Sequence, residues 1–190
     1  MDIEIIEVGT PEETLERMKR ITLLHNPSIH PYKNADLELK IFDPNELSPA
    51  QFYALRDVLK RINWMRREFK KSGIEILRLD RYISFRCNSK EWTIIPIIVE
   101  YDPTTDKDII ADGFHRCLIG RLEGEKVRAI YVRGVDYSKW PYYALPNPNG
   151  WEDVRIYDRI EDVRIKKKYR SENPYLLYRN YASEFPGCTR

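Results

Sequence analysis

Residues 112–116, Asp-Gly-Phe-His-Arg, are the part of the sequence whose residue types are most able to do chemistry. A glycine between a strand and a helix lets a ligand approach the backbone closely. The first amides of a helix lack internal partners, and the helix dipole favours an anion such as phosphate there. Arg116 can hold two phosphate oxygens at once, and His115 can donate to an oxygen or move a proton. This pattern predicts a phosphate-binding turn.

The same five residues also have a purely structural interpretation. Asp112 can cap the helix, while His115 and Arg116 form surface hydrogen bonds. In the functional interpretation, Asp112 instead holds a magnesium-bound water or orients His115. From the residues alone, the functional and structural interpretations are about equally supported.

The elements around this turn are predicted from hydrophobic periodicity. A short strand at 108–111 precedes it, a helix at 117–122 that ends near Gly124 follows it, and a strand at 127–132 comes next. Upstream, residues 37–42 alternate like a half-buried strand. Ser48 is expected to cap a long helix with one apolar face, which ends near Gly73. That face consists of Phe52, Leu55, Val58, Leu59, Ile62, Met65 and Phe69.

Further strands are predicted on either side of these elements. Residues 74–79, 82–87 and 92–101 are expected to be strands, with a hairpin at 88–91. Within the last of them Pro96 cannot donate to a ladder, so it requires a strand start, an edge or a bulge. At the N-terminus, a strand over residues 3–8 and a helix from Thr10 to near His25 are expected.

Composition excludes several classes of protein. The chain has 190 residues, 42% hydrophobic and 33% charged, so we expect a folded core and no intrinsic disorder. No apolar run approaches about 20 residues and no secretory signal is evident, so we expect a cytoplasmic protein without a membrane helix. The net charge of +2 gives no global field for nucleic acid. Cys87, Cys117 and Cys188 form no metal or disulfide pattern and are expected to be free thiols.

Residues 134–190 are rich in proline, tyrosine and tryptophan. Their aromatic side chains are expected to pack onto the domain, or alternatively to line a pocket. The five basic residues within 164–170 predict a solvated surface, or alternatively a contact with a nucleic-acid backbone. Residues 173–185 are predicted to form a closing helix.

The order of elements raises the specificity of the motif. Residues 41–47 (Ile-Phe-Asp-Pro-Asn-Glu-Leu), 96–99 (Pro-Ile-Ile-Val), 112–116 and 130–132 (Ile-Tyr-Val) occur in this order with a long helix after the first. Over about residues 37–133, this arrangement resembles the ParB/sulfiredoxin-like superfamily. In motif it is closest to the free serine kinase branch, where the turn reads Asp-Gly-His-His-Arg.

The resemblance implies a nucleotide site. Nucleotide phosphates would lie at Asp112, Gly113, Phe114, His115 and Arg116, with ATP or ADP and Mg²⁺ as cofactors. In the kinase branch, a glutamate just after the first strand accepts the proton of the substrate hydroxyl, and here Glu46 takes that position. Sulfiredoxins have a cysteine at the position of Phe114, and chromosome-partition proteins carry a helix-turn-helix domain that residues 134–190 do not match.

The sequence therefore predicts an α/β (α+β) fold with a ParB/sulfiredoxin-like mixed sheet flanked by helices. We expect an N-terminal addition (1–36), a nucleotide-binding core (37–133) and an extension packed on it (134–190). The expected function is an ATP- or ADP-dependent kinase of a small hydroxylated metabolite such as serine, with Glu46 and His115 catalytic. The alternatives are a ParB-like DNA-binding or nuclease-type protein, or a nucleotide-binding regulator without chemistry.

Overall fold

The computed structural model describes residues 2–188, and within them the chain forms three α-helices and eleven strands. The helices are α1 (Pro11–Lys19), α2 (Arg56–Lys71) and α3 (Phe114–Glu123). The strands are β1 (Glu4–Val8), β2 (Thr22–Leu23), β3 (Asp36–Phe42), β4 (Tyr53–Leu55), β5 (Ile83–Cys87), β6 (Lys90–Ile94), β7 (Ile97–Asp102), β8 (Lys107–Asp112), β9 (Val127–Arg133), β10 (Arg155–Tyr157) and β11 (Arg179–Asn180). This α+β fold confirms the predicted class. Within residues 2–188, no helix combines the length and the apolar character that a membrane span requires.

A four-stranded mixed sheet carries the candidate site. Its order is β3-β9-β7-β8, with β7 and β9 parallel and the other pairs antiparallel. Ile97, Ile98 and Val99 of β7 are completely buried, as their continuous apolar run predicts. Pro96 directly precedes β7, which confirms that it marks a strand start, where its missing N–H is tolerated.

A second sheet has three strands in the order β1-β5-β6. The predicted hairpin is confirmed, since Asn88 and Ser89 turn the chain with positive φ. The single strand predicted over 92–101 is instead two strands, because β6 pairs with β5 whereas β7 pairs with β8 and β9.

Residues 74–79 do not form the predicted strand. They contain a short 3₁₀ helix, Ile76–Arg78, whose first turn is capped by the Glu75 carboxylate accepting the Leu77 N–H at 3.1 Å. Ile76 and Leu77 are buried, so their apolar character reflects burial in the core.

The start of α1 follows the predicted capping pattern. Thr10 Oγ1 accepts a hydrogen bond from the Glu13 N–H at 3.1 Å, and Pro11 occupies the first helical position. The helix ends at Lys19, well before His25, because the chain then enters β2, which pairs with β11 near the C-terminus.

The predicted start of α2 at Ser48 is wrong. The Ser48 N–H donates to the Asp108 carbonyl, and the Ser48 carbonyl accepts from Ile110, so this segment joins the edge of β8. Strand β4 then pairs in parallel with β10, and α2 begins only at Arg56. Long-range backbone hydrogen bonds therefore replace the first turns of the predicted helix. Its predicted end near Gly73, which has φ +75°, is confirmed.

Residues 134–188, which we call the extension, contain no α-helix within the described chain. The closing helix predicted over 173–185 is instead a pair of 3₁₀ turns, Pro174–Leu177 and Tyr181–Ser183, on either side of β11. Strands β10 and β11 join the extension to β4 and β2. The boundaries of the three predicted segments stay a prediction.

Two buried ion pairs also join the extension to the central sheet. Glu100 and Asp102, on the same face of β7, are both completely buried. Arg179 donates to Glu100 at 2.8 Å, and Arg170 pairs with Asp102. Since an unpaired buried carboxylate is costly, β7 needs the extension for its charge balance.

Candidate functional site

The turn between β8 and α3 has the predicted strand–glycine–helix geometry. Gly113 precedes the helix with φ +82°. A Cβ atom there would lie 2.8 Å from Ile97 Cγ1 and 3.0 Å from Arg116 Nη2. Both the left-handed backbone and the close packing therefore require glycine. The N-cap position of α3 is occupied by Gly113, which has no side chain to cap the helix.

Arg116 is buried and holds the turn together. Its Nη1 donates to the Ile95 carbonyl at 2.8 Å, and its Nη2 donates to Asp112 Oδ2 at 3.4 Å. The interpretation of Arg116 as a surface residue is therefore wrong, since the residue is only 6% exposed. It fixes the ends of β6 and β8 relative to α3.

His115 is electrically neutral near pH 7. Burial, followed by the positive charge of Arg61, lowers its pKa to about 4. Its Nε2 atom is buried and has no hydrogen-bond partner among residues 2–188. A neutral imidazole can offer a ligand one donor or one acceptor at this atom, but no positive charge.

A cavity of about 420 Å³ opens at this turn, a volume within the usual range for small-ligand sites. One side, which we call the α3 wall, consists of residues 110–116. A second part of the lining, which we call the extension wall, consists of Tyr142, Tyr143, Lys167, Arg179 and Tyr181. The rest of the lining consists of Ala50, Gln51 and Tyr53 around β4 and of Val58, Arg61 and Ile62 of α2.

The described lining residues carry an excess of positive charge. Arg61, Arg116, Lys167 and Arg179 face a single carboxylate, Asp112. Arg116 pairs with Asp112, and Arg179 pairs with Glu100 behind the wall. Arg61 and Lys167 have no carboxylate partner in the described part of the chain. The cavity therefore suits an anion.

Aromatic side chains form much of the remaining surface. Tyr142 donates to the Ala111 carbonyl at 3.2 Å, which ties the extension wall to the end of β8. Tyr53 also lines the cavity, and burial, followed by the Tyr169 and Tyr143 hydroxyls, raises its pKa. Aromatic residues of the extension thus have two roles. Some line the cavity, and others pack onto the domain, as Trp151 does against Phe114.

Glu46 lies apart from the other predicted site residues. Its side chain is exposed in the 3₁₀ turn Pro44–Glu46, and it does not line the cavity. Its assignment as a catalytic base stays a prediction. The structure does bring together the remaining predicted residues, since all five residues of 112–116 line the cavity.

The described chain has no cluster of three or more His, Cys, Asp or Glu side chains that could hold a metal ion. Any Mg²⁺ in the cavity would have Asp112 as its one lining carboxylate. Because Mg²⁺ commonly binds through one or two carboxylates and substrate phosphates, it fits here only together with a phosphorylated ligand.

The cysteines are free, as predicted. Cys117, on α3, is completely buried, and burial raises its pKa to about 12. A thiol in this state is a poor nucleophile, so Cys117 is unsuited to the cysteine chemistry of sulfiredoxins.

Sequence reasoning missed Arg61 and Lys167. Arg61 gave no local signal, because exposed arginines are common on helix surfaces. Lys167 lies within the basic run. Because side chains of an extended segment alternate in direction, the sequence could have indicated that one of these lysines points inward. Arg164, Lys166 and Lys168 are exposed, as predicted for a solvated surface. That prediction is wrong for Lys167, which lines the cavity, and for Arg170, which pairs with Asp102.

Comparison with known proteins identifies the family. A scan against models of protein families matches residues 13–155 to the ParB CE domain. Neither a search of curated proteins nor a search of solved structures found a match. The matched region includes the α3 wall and ends before Lys167 and Arg179. Because it covers about three quarters of the sequence, this chain belongs to the ParB CE domain family.

Proposed function

We propose that this chain binds a nucleotide, ATP or ADP, in the cavity between the α3 wall and the extension wall. The observation that carries the proposal is the lining itself. It combines an excess of positive charge, a helix start, whose first amides have no partners within the helix, and several aromatic rings. The positive charge and the helix start suit phosphates, and the aromatic rings can accommodate a base.

Phosphate oxygens would accept hydrogen bonds from the first amides of α3 and from the Arg61 guanidinium. His115 Nε2 adds a neutral contact in the same turn. Tyr53, Val58 and Ile62 offer aromatic and apolar surface for a base or ribose. Mg²⁺, if bound with the nucleotide, would neutralise phosphate charge, with Asp112 as the nearby carboxylate.

A finer proposal is that the chain transfers a phosphoryl group to a small hydroxylated metabolite such as serine. The acceptor oxygen would bond to the terminal phosphorus, the bridging P–O bond would break, and the hydroxyl proton would pass to a base. The family resemblance gives this role to Glu46. Its exposed position outside the cavity lining favours nucleotide binding without chemistry over transfer that uses Glu46.

Binding to DNA is a second candidate function, favoured by membership of a ParB family. The exposed side chains of Arg164, Lys166 and Lys168 offer positive charge, and Tyr169 beside them is 46% exposed. Acidic residues 158, 161 and 162 lie close in sequence and weaken that charge. A gel shift at physiological salt tests this function, and replacing these three cations should abolish any shift.

Calorimetry with the four ribonucleoside triphosphates and their diphosphates tests the nucleotide proposal. We expect micromolar binding of ATP or ADP that disappears when His115 and Arg61 are both replaced. If no nucleotide binds to the folded wild-type chain, the proposal is wrong. Incubation of the chain with labelled ATP or ADP and a metabolite pool then tests for phosphoryl transfer.

A further inference from the structure

We infer that Lys167 of the extension is a phosphate-binding residue that sets the affinity of the cavity for nucleotides. This inference rests on the proposed nucleotide function and adds to it a residue outside the family match. Lys167 is the middle residue of a basic run in which its neighbours face solvent. Its own side chain faces the cavity instead.

Backbone hydrogen bonds fix the orientation of Lys167. The Lys166 carbonyl accepts from the Phe52 N–H at 3.1 Å, and the Lys168 carbonyl accepts from the Leu145 N–H at 2.8 Å. The chain is therefore held on both sides of Lys167 by two different segments. Because successive side chains of an extended segment point in opposite directions, Lys167 points inward while Lys166 and Lys168 point outward.

The surroundings of the Lys167 ammonium group leave it available to an anion. It donates to the Tyr143 hydroxyl, and its Nζ atom lies 4.7 Å from the centre of the Tyr143 ring. An ammonium group has three donors, and no carboxylate within residues 2–188 pairs with this one. A partly buried cation without a counter-ion gains from a ligand that supplies the negative charge.

A continuous set of contacts leads from Lys167 to the α3 wall. The rings of Tyr143 and Tyr142 lie 4.6 Å apart, and Tyr142 donates to the Ala111 carbonyl directly before residues 112–116. The lysine and the helix start therefore line the same cavity. Phosphates held by the α3 amides would then also contact Lys167.

The other residues of the basic run provide matched controls. Lys168 differs from Lys167 by one position, and its Nζ atom lies 5.7 Å from the centre of the Phe52 ring. Lys167 and Lys168 thus both contact an aromatic ring, but only Lys167 lines the cavity. Lys166 is exposed and likewise does not line it. Methionine at each position removes the charge and keeps most of the aliphatic stem.

Calorimetry on the full chain, with ATP, ADP and the corresponding cytidine, guanosine and uridine nucleotides as probes, tests the inference. We expect Lys167→Met to lower nucleotide affinity about tenfold or more, as for loss of a hydrogen bond to a charged group. Lys166→Met and Lys168→Met should stay within about twofold of wild type, and Lys167→Arg should recover most of the loss. Thermal unfolding checks that each variant is folded.

Two results with a wild-type chain that binds nucleotide would overturn the inference alone. One is unchanged affinity in Lys167→Met, which would show that the ammonium does not touch the ligand. The other is an equal loss in all three methionine variants, which would indicate a diffuse field from the basic run. A wild-type chain that binds no nucleotide would instead refute the proposed function, and the inference falls with it.

Discussion

The α3 wall and the extension wall face the same cavity, but the sequence encodes them differently. The α3 wall is one contiguous stretch, and it lies inside the region matched by the ParB CE domain. The extension wall is assembled from residues spread between Tyr142 and Tyr181, and its two cations lie beyond the matched region. A turn specified by neighbouring residues can be recognised locally, whereas a wall built by long-range contacts cannot.

The two walls are also held in place by different forces. The α3 wall depends on backbone geometry at Gly113 and on the hydrogen bond from Arg116 to the Ile95 carbonyl. The extension wall depends on charged pairs buried against β7, of which Arg179 with Glu100 is the most deeply buried. Breaking a buried pair leaves an uncompensated charge, so the extension wall should be the more sensitive to a single substitution.

The largest effect is expected when Arg179 is replaced. Arg179→Met leaves Glu100 completely buried, with the Tyr32 hydroxyl at 2.7 Å as a remaining donor. We expect a loss of about 3–5 kcal/mol in the free energy of unfolding, as for other broken buried pairs. Urea denaturation followed by circular dichroism measures it.

Two controls distinguish a buried pair from a general effect of removing an arginine. Arg86 pairs with Glu4 and Glu91 on the surface, so Arg86→Met should destabilise the chain far less than Arg179→Met. The double variant Arg179→Met with Glu100→Gln should be more stable than Arg179→Met alone, because it removes the unpaired charge. Equal losses of unfolding free energy in Arg179→Met and Arg86→Met would contradict the greater sensitivity of the extension wall to a single substitution.

The α3 wall should respond to pH through His115. Its pKa is about 4 in the folded chain, below the ordinary value of 6.5, so protons bind preferentially to the unfolded chain. Its contribution to stability is complete above pH 6.5 and is lost as pH falls toward 4. Over this window, wild type should lose about 3 kcal/mol more than His115→Gln, since one pKa unit corresponds to about 1.4 kcal/mol.

Unfolding curves at several pH values between 7 and 4 measure this difference. Other groups also titrate in this range, so the informative quantity is the wild-type curve minus the His115→Gln curve. His25 is exposed and does not line the cavity, so His25→Gln is the control for the replacement of a histidine elsewhere in the chain. Parallel curves for wild type and His115→Gln would show that the histidine is not buried in its neutral form.

The sequence was sufficient to predict elements whose signals are local. The capped start of α1 at Thr10, the strand–glycine–helix turn at Gly113 and the strand start after Pro96 each depend on a few neighbouring residues. Their backbone conformations follow from side-chain capping, from φ > 0 and from a missing N–H, respectively. The turn at residues 112–116 could be singled out for the same reason, and phosphate binding there stays a prediction.

Elements set by distant partners could not be predicted in this way. Ser48 and the three residues after it match the capping pattern of a helix start, but the Ser48 backbone pairs with β8. Residues 173–185 are apolar enough for a helix, yet β11 pairs with β2 near the other end of the chain. Lys167 is one of five basic residues in its run, and only the pairing of Lys166 with Phe52 and of Lys168 with Leu145 turns it inward.

A smaller effect is expected at Arg61, which lines the cavity outside the two walls. Its side chain is exposed and has no hydrogen bond or ion pair within residues 2–188, so Arg61→Met should change stability by less than about 0.5 kcal/mol. Nucleotide affinity should nevertheless fall about tenfold if, as proposed, the Arg61 guanidinium contacts phosphate. Arg67 is exposed on the same helix and does not line this cavity, so Arg67→Met should bind nucleotide like wild type. Equal affinities of both variants would remove Arg61 from the site.

The smallest effect on binding is expected at Glu46. Because this side chain is exposed in the turn before β4 and outside both walls, Glu46→Gln should leave nucleotide affinity within about twofold of wild type. Calorimetry measures the affinity, and product detection with labelled nucleotide measures transfer in the same variant. A loss of transfer with unchanged affinity would establish Glu46 as the base and require the acceptor to approach from outside the cavity. Transfer that persists in Glu46→Gln would leave Asp112 and His115 of the α3 wall as the groups able to take the proton, and the chemistry would then belong to the locally encoded wall alone.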